Sequence, residues 1–254
     1  MMSNNRMNNT SQCCYFKFGI LVTGHTEKQH LPKLFRTLMA TGICTFEVIG
    51  KIDQLSPITS TRRRDNIVGT TQPIPHKDQQ QIGSPSRRYL QNNPCAYILL
   101  IDDLEHDRRD RAKQTFQRYR QILDSILSDE QQQRASVHFL VNMIESYYFA
   151  DAQAINQVLG TNLSDHLKDV ETIRHPKGEL KQIFPGFDEV LHGGDILKCL
   201  NVNHVLSRPE TCASLRTLFS WCVKILQQYP HEKLFVDDEY CLITGNRYSI
   251  TDGQ

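Results

Sequence analysis

Four apolar runs, each followed by a helical pattern or a turn, dominate the chain between residues 15 and 160. The runs cover residues 15–22, 43–49, 96–101 and 136–141. They are rich in aromatic and branched side chains, which is typical of buried strands. The segments that follow the first, third and fourth runs carry apolar residues at helical spacing. This alternation of strand and helix predicts an α/β fold, with a parallel sheet flanked by helices.

Local signals predict several helix boundaries. Thr26 is the predicted N-cap of the first helix, with an acidic residue next to it in the first turn, and Gly42 ends that helix. A long helix is predicted from about residue 106 to 128, and another ends at Gly160. The carboxyl part contains a further helix through residues 215–226.

The pattern divides the chain into a tail, a core and an extension. Residues 1–13 are polar and Asn-rich and are predicted to be a disordered tail. Residues 14–160 form the predicted α/β core. That core is interrupted at 51–94 by a basic, proline-rich loop excursion, predicted to be ordered only in part. Residues 161–254 are a predicted C-terminal extension, mostly helical and packed on the core.

Composition narrows the class of protein. The chain has 254 residues with 29 basic and 28 acidic side chains, a formal charge of +1. This balance excludes a strongly basic coat for nucleic acid but not a local basic patch. The apolar runs are far shorter than the ~20 residues that span a bilayer, and the amino end lacks an apolar stretch of signal-peptide type. We therefore expect a cytoplasmic protein that does not contact membranes.

The cysteines predict neither zinc nor disulfides. There are eight, and none forms a CxxC pair or has a histidine at zinc-finger spacing. Cys222, for example, lies inside an apolar run. We expect reduced, mostly buried thiols.

Acidic residues follow three of the predicted strands. Glu27 comes after the first, Asp102, Asp103 and Glu105 come after the third, and Glu145 comes shortly after the fourth. Because parallel strands end at one edge of the sheet, these carboxylates are expected to converge there. Two unit charges about 4 Å apart repel by roughly 4 kcal/mol at an effective dielectric near 20. A hard cation such as Mg²⁺ would offset that repulsion and could orient a phosphodiester and activate water.

Simpler explanations exist for the same residues. Asp102, Asp103 and Glu27 can cap or complement the following helices, and Glu145 suits a first helical turn. The arginine run at residues 62–64 can be a solvated loop.

The order of several motifs resembles that of Toprim-like proteins. The segment VTGHTE resembles their opening motif, in which Glu-Gly-x-Thr-Glu follows a strand, and ILLIDDLE resembles their Asp-x-Asp segment. MIESYYFADAQAI, HPKGELKQIFPGFD and LKCLNVNHVLSRPETCASLRTLFSWCVKI resemble later blocks. Together they resemble an uncharacterised Toprim-related family of bacterial proteins, considered companions of overcoming-lysogeny-type ATPases. The resemblance covers about residues 18–226.

The resemblance implies a role for each matching position. Asp103 and Glu105, with Asp102 beside them, would bind Mg²⁺ or Mn²⁺. Glu27 and Glu145 would be catalytic. Lys177, Lys181 and Arg63 are the predicted phosphate-binding residues, Arg63 because the basic excursion would contact the nucleic-acid backbone, and Thr23 and Gly24 form the predicted turn. Thr23 departs from the pattern, which has a glutamate there, and threonine does not exchange a proton near neutral pH.

These observations leave two main hypotheses. The first is a Mg²⁺-dependent nuclease or phosphoryl-transfer protein acting on DNA or RNA, with a role in phage defence implied by the resemblance alone. The second is a catalytically inactive Toprim-like scaffold that binds a partner ATPase or nucleic acid. A phosphatase or nucleotide-binding α/β protein is a third, weaker option, because both GxxxxGK[ST] and GxGxxG are absent.

Overall fold

The structure is a computed structural model that describes residues 13–54, 77–230 and 245–250. Its centre is a four-stranded sheet in which every neighbouring pair is parallel, in the order β2-β1-β3-β4. The strands are β1 (Phe16–Val22), β2 (Cys44–Lys51), β3 (Ala96–Leu104) and β4 (Ala135–Val141). Each corresponds to one of the four apolar runs. The predicted α/β class with a parallel sheet is confirmed.

Helices flank the sheet, and the carboxyl part is mostly helical, as predicted. The α-helices are α1 (His25–His30), α2 (Arg36–Met39), α3 (Ser84–Gln91), α4 (Ala112–Asp124), α5 (Asp129–Gln132), α6 (Ala152–Leu159), α7 (Pro176–Ile183), α8 (Leu191–Cys199), α9 (Val202–Ser207) and α10 (Ala213–Leu226). Short 3₁₀ segments cover Leu31–Phe35, His106–Arg111, Ile144–Ala150 and Val170–Thr172, and a π-helical segment covers Gln79–Gly83.

The sheet separates two apolar cores because successive side chains of a strand point to opposite faces. Leu99 of β3 belongs to one core, which includes Phe18 and Phe219, and Leu100 belongs to the other, which includes Tyr119 of α4. Burying one large apolar side chain stabilises the fold by about 1.5–3 kcal/mol. Both faces of the sheet are therefore covered, which explains why β3 and β4 are buried along almost their whole length.

Helix boundaries differ from prediction in informative ways. Thr26 does not cap α1. Gly24 occupies the N-cap position without a side-chain hydrogen bond, and Thr26 is buried inside the helix. The long helix predicted at 106–128 begins as a 3₁₀ segment and becomes α-helical only at Ala112. Gly160 does end α6, in the left-handed conformation with φ 64°.

The excursion predicted at 51–94 contains more regular structure in its second half than expected. The π-helical segment Gln79–Gly83 runs directly into α3, and Pro85 is the second residue of α3. Residues 55–76, including Arg63 and the arginine run, lie outside the described residues. The predicted tail also lies outside them, except for Cys13.

One expectation about the cysteines is wrong. Cys13 forms a disulfide with Cys95, and their Cα atoms lie 5.6 Å apart. The pairing of β1 with β3 explains this contact, because the Lys17 N–H donates to the Cys95 carbonyl and brings the two segments side by side. Sequence spacing cannot reveal a contact between residues 82 positions apart. Cys44, Cys212 and Cys222 are buried free thiols, as expected.

No helix in the described ranges is both long and apolar enough to cross a membrane.

Candidate functional site

The carboxyl ends of β1, β3 and β4 meet at one edge of the sheet. β1 leads through a two-residue turn into α1, which carries Glu27. β3 carries Asp102 and Asp103 near its end, and the 3₁₀ segment after β4 carries Glu145. Parallel pairing therefore brings together acidic residues that are far apart in the sequence.

Asp102 is fully engaged by its neighbours. Arg108 forms an ion pair of 2.8 Å with its Oδ2, and the Tyr119 hydroxyl donates to the same oxygen at 3.0 Å. Thr23 donates to Oδ1 at 2.9 Å. The carboxylate is buried but neutralised and hydrogen-bonded, as a buried charge must be. This arrangement gives Asp102 a role in holding β3 to its surroundings.

Asp103 points to the opposite face, towards Glu27. A Cβ built at Gly24 would lie 1.6 Å from Glu27 Oε2 and 3.2 Å from Asp103 Oδ2, so the two carboxyl groups converge on this glycine. Asp103 Oδ1 is enclosed and has no hydrogen-bond partner within the described ranges. Burial, followed by the charges of Glu27 and Glu145, raises the pKa of Asp103 well above its usual range. The pair therefore favours sharing a proton or a cation.

Glu145 is the third member of this cluster. Its side chain is 1 % exposed, and neither carboxyl oxygen has a hydrogen-bond partner in the part of the chain that the structure describes. The nearest cation is Lys177, whose Nζ lies 3.8 Å from Oε1. Burial raises the pKa of Glu145 to about 7, although Lys177 acts in the opposite direction. We call Glu27, Asp103 and Glu145 the carboxylate cluster.

Two lysines of α7 border the cluster through an acidic residue that sequence analysis missed. Lys177 Nζ lies 2.9 Å from Glu189, and Lys181 Nζ lies 3.6 Å from the same carboxylate. Burial disfavours the charge of Lys177, but the charges of Glu145 and Glu189 outweigh it and raise the pKa of Lys177. Glu189 thus holds both lysines beside the cluster. No motif marks it, because it lies on a loop between two helices.

Tyr148 also lines the cluster and was not predicted. It is fully buried, and its hydroxyl donates to the Gly193 carbonyl at 3.3 Å. Burial, together with the charges of Glu145 and Glu27, raises the pKa of this phenol well above its usual range. It follows Glu145 by three residues, so the one 3₁₀ segment presents both side chains to the site.

The backbone just before Glu145 is strained. Asn142 and Met143 have positive φ values of 57° and 72°. Met143, with ψ 163°, lies in a region that is essentially restricted to glycine and costs about 1–3 kcal/mol. The Asn142 side chain donates to the Glu171 carbonyl at 2.8 Å, which helps to hold this turn. The turn aims Glu145 at the other carboxylates, and strain of this kind often accompanies functional geometry.

The predicted site residues therefore separate into groups. Glu27, Asp103 and Glu145 converge, with Lys177 and Lys181 beside them. Asp102 and Thr23 belong to the Arg108 network, and Gly24 forms the turn below Glu27. Glu105 is exposed and lies outside the carboxylate cluster. The roles proposed for these residues stay predictions, and Arg63 lies outside the described residues.

Within residues 13–54, 77–230 and 245–250, no group of three or more His, Cys, Asp or Glu side chains has the arrangement of a preformed metal site. The carboxylate cluster therefore does not by itself supply a complete set of protein ligands for a metal ion.

Comparison with known families gives one match. The profile of a family described as a domain of unknown function matches residues 22–221, which include the last residue of β1, all of β2 to β4 and most of α10. Comparisons with curated proteins and with solved structures gave no match.

Proposed function

The chain belongs to the family described as a domain of unknown function, DUF4276, and since that family supplies no activity, we propose from the site itself that the protein is a Mg²⁺- or Mn²⁺-dependent nuclease. The proposed substrate is the phosphodiester backbone of DNA or RNA, and the proposed site is the carboxylate cluster.

One observation carries this proposal. Glu145 and Asp103 keep three enclosed carboxyl oxygens without hydrogen-bond partners in the described ranges, beside a third carboxylate. Leaving a buried acceptor unsatisfied costs about 1–3 kcal/mol each. A fold that needed only stability would give these oxygens hydrogen bonds, as it does for both oxygens of Asp102. The three oxygens without hydrogen bonds are therefore better explained as cation ligands.

The donor set fits Mg²⁺ or Mn²⁺ in its chemistry. Both are hard cations that prefer carboxylate oxygen, and Mg²⁺ binds through one or two protein carboxylates while it keeps several waters. The lack of a preformed three-ligand site is compatible with such binding. Glu27 and Asp103 would hold the ion, which would polarise the phosphoryl oxygen and orient water.

The other residues of the site would complete the reaction. Glu145 would accept the proton of the attacking water, whose oxygen would form a bond to phosphorus as the bond to the leaving oxygen breaks, and the leaving oxygen would take its proton from solvent water. Lys177 and Lys181 carry positive charge beside Glu145 and would attract the phosphate. Tyr148 excludes water from one side of the cluster.

A specific observation favours a second candidate, the inactive scaffold that binds an ATPase or nucleic acid. Thr23 stands where the resembling family has a glutamate, and here its hydroxyl is used to bind Asp102 and the Asp103 N–H. A residue engaged in this way does not transfer protons.

Incubation of the full chain with single- and double-stranded DNA and RNA tests the proposal, with Mg²⁺, Mn²⁺ or EDTA. We expect cleavage with either metal and none with EDTA. Asp103→Asn and Glu27→Gln should abolish it, whereas Glu105→Gln, at an exposed carboxylate directly after β3, should retain it. Undiminished cleavage by Asp103→Asn would refute the site. Metal binding by calorimetry without any cleavage would favour the scaffold.

A further inference from the structure

An open cleft borders α7 on a different face from the one that contacts the carboxylate cluster. Its volume is about 780 Å³, within the range of small-molecule sites. We call it the α7 cleft, and the residues that define its character are His166, Lys168, Arg174, His175, Gly178 and Glu179. Nothing in the proposed reaction uses this cavity.

The charge of the α7 cleft is positive. Lys168 and Arg174 are permanent cations and two imidazoles lie beside them, against one carboxylate, Glu179. Lys168 and His175 are exposed, and in the described ranges their side chains form no ion pair or hydrogen bond. Lys177, in contrast, is held by Glu189. The cations of the cleft are therefore available to a ligand.

Arg174 connects the cleft to the functional edge of the sheet. Its Nε donates to His106 Nε2 at 3.0 Å, and His106 begins the 3₁₀ segment that follows β3. This single bond uses only one of the donors of the guanidinium and fixes its orientation. The remaining N–H groups of the planar guanidinium are well placed to donate to phosphate oxygens.

Consecutive residues of α7 face the two sites. Lys177 contacts Glu145, while Gly178, the next residue, lines the cleft. The cleft and the cluster are thus separated by one helix, whose diameter with side chains is about 10–12 Å. A strand bound at the cluster would therefore need to extend only about the width of one helix to reach the cleft.

We propose that the α7 cleft binds a backbone phosphate of the nucleic-acid strand that occupies the carboxylate cluster, a short distance along the strand from the bond to be cleaved. This inference rests on the proposed function. Phosphate is favoured as the ligand because the cleft offers unpaired cations beside a site suited to phosphodiesters. Lys168 and Arg174 would contact the phosphate oxygens directly.

Binding of a fluorescent single-stranded oligonucleotide to the full chain, in EDTA so that no cleavage occurs, tests this site. The double variant Lys168→Ala/Arg174→Ala should bind roughly tenfold more weakly. The slope of log affinity against log salt should also fall by about 0.7, the contribution of one phosphate contact to a single strand. Lys224→Ala removes an exposed cation from the last turn of α10 and should change neither quantity.

The source of the phosphate is tested by competition. Displacement by a longer unlabelled strand, but not by millimolar nucleoside monophosphate or inorganic phosphate, is the result expected for a strand-binding cleft. Displacement by the small phosphates at equal concentration would indicate a site for free phosphate and would overturn the proposal, as would an unchanged salt slope in the double variant. If wild-type protein binds the strand through the cleft but never cleaves it, the proposed nuclease fails while this inference stands.

Discussion

The Thr23 hydroxyl joins the ends of two strands, because it donates to Asp102 Oδ1 at 2.9 Å and accepts from the Asp103 N–H at 3.2 Å. Thr23 thereby fixes the backbone between Asp102, which is neutralised by Arg108, and Asp103, which belongs to the carboxylate cluster. Thr23 acts as a positioning residue for Asp103.

Thr23→Val tests this role. Valine keeps the shape but removes both hydrogen bonds, so the free energy of unfolding should fall by about 1–3 kcal/mol. Thr23→Ser keeps the hydroxyl and should retain most of the stability. Denaturant titration of the three proteins measures the difference, and a valine variant as stable as the serine variant would show that these bonds contribute nothing.

Gly24→Ala tests how the cluster is built. The backbone at Gly24 has φ −92°, which any residue adopts, so alanine is acceptable to the backbone. Its Cβ, however, would lie 1.6 Å from Glu27 Oε2 and must displace that carboxylate. We expect a folded protein whose thermal stabilisation by Mg²⁺ is lost or much reduced. A full Mg²⁺ response in Gly24→Ala would mean that Glu27 does not hold the ion.

Comparison of Asp103→Asn with Glu105→Gln tests whether the metal binds at the carboxylate cluster of the structure or at the pair of residues that the sequence motif implies. A ligand at a hundred times its dissociation constant stabilises the folded state by about 2.7 kcal/mol, so Mg²⁺ should raise the melting temperature of the wild type. Asp103→Asn should lose this rise and melt no lower than wild type without metal, because the amide removes one acid from three crowded carboxyl groups. Glu105→Gln should behave as the wild type. Loss of the Mg²⁺ response in Glu105→Gln but not in Asp103→Asn would mean that the exposed Glu105 binds the metal.

The contrast between Asp103 and Glu105 also shows what a sequence can and cannot predict. The order of strands and acidic segments was sufficient to predict the parallel sheet and the edge at which Glu27, Asp103 and Glu145 meet. Because successive side chains of a strand point to opposite faces, the sequence predicts that Asp102 and Asp103 face opposite ways. It does not predict which of the two is neutralised by a cation. That depends on Arg108, which lies beyond the end of β3.

Glu189 and the disulfide partner of Cys13 were beyond prediction for a related reason. Both depend on contacts between distant segments, and no local periodicity or spacing encodes them. The strained turn at Met143 was equally invisible, because methionine has no preference for positive φ that a pattern could reveal.

His138 should make the protein sensitive to acid. Its side chain is fully buried, and the Ser136 Oγ lies 2.8 Å from its Nε2. Burial lowers the pKa of His138 from 6.5 to about 3. The unfolded chain therefore takes up a proton first, so stability is complete above pH 6.5 and is lost as the pH falls towards 3. The loss amounts to roughly 4–5 kcal/mol at most.

Unfolding free energies measured from pH 4 to 8 test this sensitivity. His138→Gln, which cannot take up a proton, should flatten the acid side of the profile, whereas His25→Gln, at an exposed histidine, should leave it unchanged. If His138→Gln parallels the wild type at every pH, then His138 is protonated equally in the folded and unfolded chains.

Met143 offers the most direct measure of strain at the site. At most positions, replacing alanine by glycine destabilises a protein, because glycine loses more backbone entropy on folding. At φ 72° and ψ 163° the order should reverse, since alanine keeps the steric clash of Met143 and glycine does not. We expect Met143→Gly to be more stable than Met143→Ala by about 1 kcal/mol in denaturant titration. Both variants lack the methionine side chain, so their difference reports the backbone alone. Greater stability of the alanine variant would mean that the turn holding Glu145 is unstrained, and that this carboxylate owes its position to packing.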